Sequence, residues 1–198
     1  QAGRLNPFLR ARELDRSLKL YLAVVTMFTL GNSSNAFLLL RAQNYGFSAR
    51  QAVLMYFGYH LSASLLAIPL GRLSDRVGRK SLLVGGYLLF SLVYATFAWA
   101  NRGWMMWAAF GEYGLYTAMT AGVERAFITQ IAPPHLKGTM LGLHGTLTGV
   151  ALLPASALAG LLWTKAGPQV PFAVGAALSL LAALVLHFFL QRPKGATL

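Results

Sequence analysis

The chain has 198 residues, of which 56% are hydrophobic and 11% charged; a soluble domain averages about 25% charged residues, so an ordinary soluble globular domain is excluded. With no cysteine in the sequence, a disulfide framework, a thiolate nucleophile and a cysteine-based metal site are excluded as well. The net charge of +12 sits in loops and tails between apolar runs, which points to membrane topology and anionic headgroups and away from nucleic acid.

Residues 1–19 carry Arg4, Arg10, Arg12, Arg16 and Lys19 with Glu13 and Asp15. They read as a polar, partly helical, amphipathic lead at the membrane surface, resembling a linker. The sequence starts at Gln1, no small-residue cleavage site follows the lead, and the next apolar run is longer than a signal core of about 7–15 residues, so no cleaved signal is read. Residues 20–40 form an uncharged run of 21, enough at 1.5 Å per residue to cross a core of about 30 Å. Gly31, Asn32, Ser33, Ser34 and Asn35 interrupt its middle.

A short loop from Arg41 to Arg50 follows, with Ser48 as an N-cap. The second span is residues 51–71, with His60 and Pro69, and the third is residues 81–101. Residues 103–131 are the fourth and hold the carboxylates Glu112 and Glu124; Pro133-Pro134 ends it, since proline cannot continue a helix. Residues 138–164 form the fifth, kinked at Pro154, and residues 168–191 the sixth. The expected fold is an all-α integral membrane bundle of six transmembrane helices, with a tail at 192–198.

Six crossings put both termini on one side. That side collects the five cations of the lead together with Arg72, Arg76, Arg79, Lys80, Lys137, Arg192 and Lys194; the other has Arg41, Arg50, Arg102 and Lys165. Twelve against four is a strong positive-inside bias, so both termini and the loop at 71–80 are expected in the cytoplasm. Trp99, Trp104 and Trp107 gather near the opposite interface.

The loop at 71–80 places Arg72, Arg76, Arg79, Lys80 and Asp75 among Gly71, Leu73 and Gly78. Gly71 would let helix 2 end close to a neighbour. Asp75 suits the positive end of a helix dipole. The cations can pair with carboxylates or phosphates, and Gly78 allows a turn that a Cβ would hinder. Positive-inside sorting alone would explain a basic loop, but not the order of its residues.

Gly71-x-Leu73-x-Asp75-Arg76-x-Gly78-Arg79-Lys80 resembles, at every defined position, the loop motif of the major facilitator superfamily between the second and third helices of a six-helix half. The polar lead, the stretch from Thr29 to Leu38, Glu124-Arg125-Ala126 before Pro133, and Leu153-Pro154-Ala155-Ser156 resemble that family's carboxyl-terminal half. The resemblance implies two pseudo-symmetric halves, of which residues 20–191 would be one. It also implies a conformational latch: Asp75 as the docking anion, Arg76 and Arg79 as its supports, and a docking surface in the other half. The first and fourth helices of each half would line the path.

An ionisable group inside a span is a functional candidate by default. Glu112, Tyr116, Thr120 and Glu124 recur every four residues and read as one polar stripe. Glu112 lies about 12 Å inside the outer end of its helix, where it could bind a cation or carry a proton; a carboxylate bonded to tyrosine near the interface is the alternative. Glu124 and Arg125 point about 100° apart and read as structural or gating groups. Asn32 and Asn35 read as sharing a face, for substrate or for interhelical bonding; in the family's pattern an acid stands where Asn35 is. His60, one turn from Tyr56 and Ser64, and His144, beside Thr148, titrate near neutral pH when unperturbed and are candidates for substrate or proton handling or for structural bonding. Gly138, Gly142, Gly145 and Gly149 read as a face for close helix packing.

The four histidines lack ligand spacing, so no metal is expected, and no motif indicates a cofactor or an enzyme. The expected function is secondary active transport of a small solute by alternating access, in a bacterial inner (plasma) membrane, with a second six-helix half supplied upstream, by a separate chain or by a homodimer. The alternative is a non-transporting membrane packing protein or a truncated product.

Overall fold

The computed structural model describes residues 16–190, which are helical with no strand among them. Seven α-helices follow one another: α1 (Arg16–Gly31), α2 (Ala36–Asn44), α3 (Ala49–Val77), α4 (Arg79–Trp99), α5 (Gly103–Ile131), α6 (Lys137–Ala166) and α7 (Val170–Phe189), with a 3-10 turn at Pro134–Leu136 before α6. Most of the polar lead and the tail at 192–198, with their cations, lie outside the described residues.

Local chemistry sets the boundaries. Ser48 opens α3 with a capping box: its Oγ accepts from the Gln51 amide at 3.3 Å, and Gln51 Oε1 accepts from the Ser48 amide at 3.0 Å. Gly78 separates α3 from α4 with φ of 90°, a conformation that a Cβ disfavours. Helix α5 ends before Pro133, as expected. Helix α3 does not stop at Gly71 but continues to Val77. Gly71 has open space where a Cβ would stand, so close approach is not its reason for being glycine.

The first span is two helices. Residues 32–35 leave the helical path, and three remote side chains and the end of α1 receive them. Tyr94 donates to Asn32 Oδ1 at 3.4 Å, Tyr113 to Asn35 Oδ1 at 2.9 Å, the Ser34 amide donates to Ser156 Oγ at 3.3 Å, and the Asn32 amide turns back to Phe28 and Thr29. Free backbone groups at a break need such partners where water is absent. Asn32 and Asn35 therefore do not share a helical face.

Arg41 lies inside α2 and not in a loop. Its side chain is buried and donates to the carbonyl oxygens of Phe97 at 2.8 Å and Ala98 at 3.2 Å, and to Asn44 Oδ1 at 3.0 Å. A guanidinium on the last carbonyls of α4 meets the negative end of that helix, which is how a cation is tolerated there.

Helix α4 packs on α5 and α7, α3 packs on α5, and α1 lies against α7 and α6. The centre is aromatic: Phe28 stacks on Tyr87 at 4.1 Å and Phe90 on Tyr94 at 4.0 Å. Such pairs are each worth about 0.5–1.5 kcal/mol beyond area. Helices α1 and α7 cross where Gly31 meets Gly175; a Cβ on Gly175 would stand 2.5 Å from the Gly31 oxygen. The glycines Gly138, Gly142, Gly145 and Gly149 of α6 have nothing within 4 Å of their Cβ positions, so among the described residues they are not the close-packing face.

Five segments are long and apolar enough to cross a membrane, α1 with α2 counting as one. Helix α5, with 29 residues, is the sixth member of the bundle and the one that carries Glu112, Glu124 and Arg125. The outward surface is apolar, with Phe57, Leu65 and Ile68 on α3 and Val150, Leu153 and Leu161 on α6 exposed, and Trp99, Trp104 and Trp107 exposed together at one end.

A cavity between α1, α5 and α6

A cavity of about 640 Å³ opens between α1, α5 and α6. Helix α1 contributes Val25, Phe28, Thr29 and Asn32, α5 contributes Tyr116, Glu124 and Arg125, and α6 contributes Leu141, His144, Thr148 and Leu152. Asn32, Tyr116, Glu124 and His144, which come from α5, α6 and the end of α1, therefore meet at one place. Asn32 lines the cavity at the break between α1 and α2.

Glu124 is the chemical centre. Tyr87 donates to its Oε1 at 2.9 Å, Tyr21 donates to its backbone oxygen at 3.3 Å, and His144 Nε2 lies 3.8 Å from its Oε2. The two side chains are only 17% and 11% exposed. His144 Nε2 is buried and makes no hydrogen bond, and the Tyr21 ring lies parallel to the imidazole at 6.5 Å between centroids. The Glu124 carboxylate is thus held by a tyrosine and faced by a histidine. Thr148 turns its hydroxyl to the His144 carbonyl oxygen at 3.0 Å, so that pair is a backbone contact.

The stripe on α5 does not act as one surface. Four residues advance about 400°, so each step drifts about 40° and Glu124 points about 120° away from Glu112. Thr120 donates to the Tyr116 carbonyl oxygen at 3.0 Å, and its methyl fills the space beside Gly86. Glu112 is half-buried, outside the cavity, and makes no hydrogen bond or ion pair among the described residues.

A second cavity of about 500 Å³ lies between α3 and α5, lined by His60, Ser64, Gly71, Asp75, Arg79 and Thr117 among others. His60 meets the rings of Tyr56 at 4.7 Å and Tyr59 at 4.1 Å. At its charged end, Arg79 pairs with Asp75 at 3.4 Å and donates to the Ala126 oxygen at 3.0 Å. Asp75 sits in the last turn of α3, and its partner Arg79 is the first residue of α4. Lys80 reaches α7, donating to the His187 oxygen at 2.8 Å and to the Leu190 oxygen. Leu73 and Arg76 are exposed. Sequence reading missed Tyr87, Tyr94 and Tyr113, and read Arg41 only as a loop cation; each has a partner remote in the chain.

The family model described as Major Facilitator Superfamily matches residues 20–198. An uncharacterized MFS-type transporter of Methanocaldococcus jannaschii is 34% identical over 183 residues, covering 89% of this chain and 46% of its own length. The tetracycline resistance protein, class E, of Escherichia coli is 30% identical over 78% of this chain and 36% of its own length. The class B protein of Escherichia coli is 26% identical over 75% of this chain. The chain thus spans less than half the length of these relatives.

Proposed function

The chain belongs to the Major Facilitator Superfamily, and from that membership we propose that it is the carboxyl-terminal six-helix half of a secondary transporter moving a small solute by alternating access. Residues 20–191 are the half, residues 1–19 its cytoplasmic lead and residues 192–198 its cytoplasmic tail, in an inner (plasma) membrane. The observation that carries the reading is the cavity between α1, α5 and α6, where a half-buried carboxylate and a buried imidazole face each other at 3.8 Å. Intramembrane ionisable groups are costly and are kept where they handle ions or solutes.

Glu124, His144, Tyr116 and Asn32 form the solute or proton path. Phe28 and Tyr116 supply aromatic surface, so the solute is an amphiphile with a polar or cationic group. Two relatives are named for tetracycline resistance, which makes drug-like amphiphiles the first class to test. Asp75, Arg76 and Arg79, with Gly71, Leu73, Gly78 and Lys80 around them, form the latch against a second six-helix half. That half covers the exposed apolar faces of α3 and α6, whose most apolar stretches are only 11% and 17% buried.

The test is transport by the full two-half protein in proteoliposomes against a panel of drugs, sugars and organic ions. The reading predicts uptake or efflux of at least one class, lost in Glu124→Gln. Absence of transport and of binding across the panel would sink it.

A further inference from the structure

Helix α6 is the loosely held wall of the cavity. Its polar ties to the other helices are few among the described residues: Ser156 Oγ accepts from the Ser34 amide at 3.3 Å, and His144 faces Glu124. Gly145 and Gly149 line the cavity with nothing within 4 Å of their Cβ positions, so α6 can move toward α5 there without a clash.

The gap between His144 Nε2 and Glu124 Oε2, 3.8 Å, is too long for a hydrogen bond. With a proton on the carboxyl, Oε2–H can donate to the Nε2 lone pair, and a hydrogen bond between such atoms is about 2.7–3.0 Å. One proton added to the pair therefore draws the two side chains about 1 Å closer. Without it, a buried nitrogen stays unpaired, a state that costs free energy. Tyr87 on α4 holds Glu124 Oε1 in place and Tyr21 on α1 donates to the Glu124 backbone oxygen, so the residue free to respond is His144 on α6. The other titratable or charged groups facing the pair are Tyr116 and Arg125 on α5.

We infer that Glu124 and His144 form a proton-binding strut between α5 and α6, which draws α6 onto the bundle when loaded and lets it stand off when empty. The ligand is a proton shared between a carboxylate and an imidazole, and its two-step titration belongs to the pair. The inference rests on the transport reading above, since a moving wall matters only to a cavity that opens and closes.

Two measurements on purified full-length protein, without solute, test it. Infrared difference spectra across a pH titration report the carboxylic C=O band of a protonated glutamate. Spin labels at Leu88→Cys on α4 and Thr146→Cys on α6, both exposed positions, report the separation of α6 from the bundle. The segment contains no native cysteine to compete for label. The band should titrate together with a shortening of the label distance, and both should be absent in Glu124→Gln. His144→Asn, which leaves the Tyr87–Glu124 bond intact, should abolish the distance change and displace the band's midpoint by about one pH unit, a tenfold change in proton affinity. A band that survives in Glu124→Gln, or a distance change that persists in His144→Asn, overturns the strut. Loss of transport with the strut intact would instead overturn the transport reading, because neither measurement depends on a solute.

Discussion

The Lys80 ammonium donates to the His187 carbonyl oxygen at 2.8 Å, across 107 residues of chain. It also reaches the Leu190 oxygen, so one cation serves the last carbonyls of α7. Those groups have no partner within their own helix, and a cation there also meets the negative end of the dipole. Lys80→Met should therefore lower thermal stability in detergent by about 1 kcal/mol and speed amide exchange in the last turn of α7. Lys80→Arg should restore most of both. Unchanged exchange in Lys80→Met would show that the contact carries no weight.

The crossing of α1 and α7 allows a sharper comparison. A Cβ on Gly175 would lie 2.5 Å from the Gly31 oxygen and 2.6 Å from the Tyr94 ring, whereas one on Gly111 would meet nothing within 4 Å. The backbone oxygen cannot step aside, so the helices must separate. Gly175→Ala is expected to cost about 1–3 kcal/mol through overpacking. Gly111→Ala is expected to be neutral or slightly stabilising, since alanine favours helix by about 1 kcal/mol over glycine. Melting curves of the two variants side by side check the ranking.

Boundaries that depend on adjacent residues were legible. The capping box at Ser48 and the diproline after Ile131 each act within one turn, and both helix ends fall where local chemistry puts them. The polar interruption at residues 32–35 was legible as an interruption, but its consequence was not. Whether a span bends or breaks there depends on Tyr94, Tyr113 and Ser156, which lie 62, 78 and 122 residues away from their partners. The polar stripe on α5 misled for a geometric reason: a spacing of four drifts around the helix, and over three steps the drift moves Glu112 away from Glu124. The meeting of Glu124 with His144 depends on how α6 crosses α5, which no spacing in either helix encodes.

The loop around Asp75 separates stability from mechanism. The Asp75 and Arg79 side chains are 67% and 31% exposed and 3.4 Å apart. Exposed i,i+4 pairs contribute only about 0.3–0.5 kcal/mol, so Asp75→Asn should leave the melting temperature almost unchanged. If Asp75 docks on a second half, the same variant should still shift the inward–outward balance, read as a change in cysteine labelling from the two sides of the membrane. An altered melting temperature with unaltered labelling would mean that the residue serves folding and not the latch.

The two carboxylates of α5 make opposite predictions. Glu124 lines the cavity, accepts from Tyr87 at 2.9 Å and faces His144. Glu112 lies outside the cavity, half-buried and without a bond to the described residues. Removing a charge that faces a solute path alters coupling, while removing one that does not alters little beyond local solvation. In the reconstituted two-half protein, Glu124→Gln should reduce proton-coupled transport at least tenfold, a loss of about 1.4 kcal/mol or more in coupling free energy. Glu112→Gln should change it less than twofold. Because Gln at 124 still accepts from Tyr87, the fold should be kept, and a matching elution profile for both variants would confirm that. The reverse order, with transport lost in Glu112→Gln and kept in Glu124→Gln, would move the path away from the cavity between α1, α5 and α6, toward whatever surface a second half brings to Glu112.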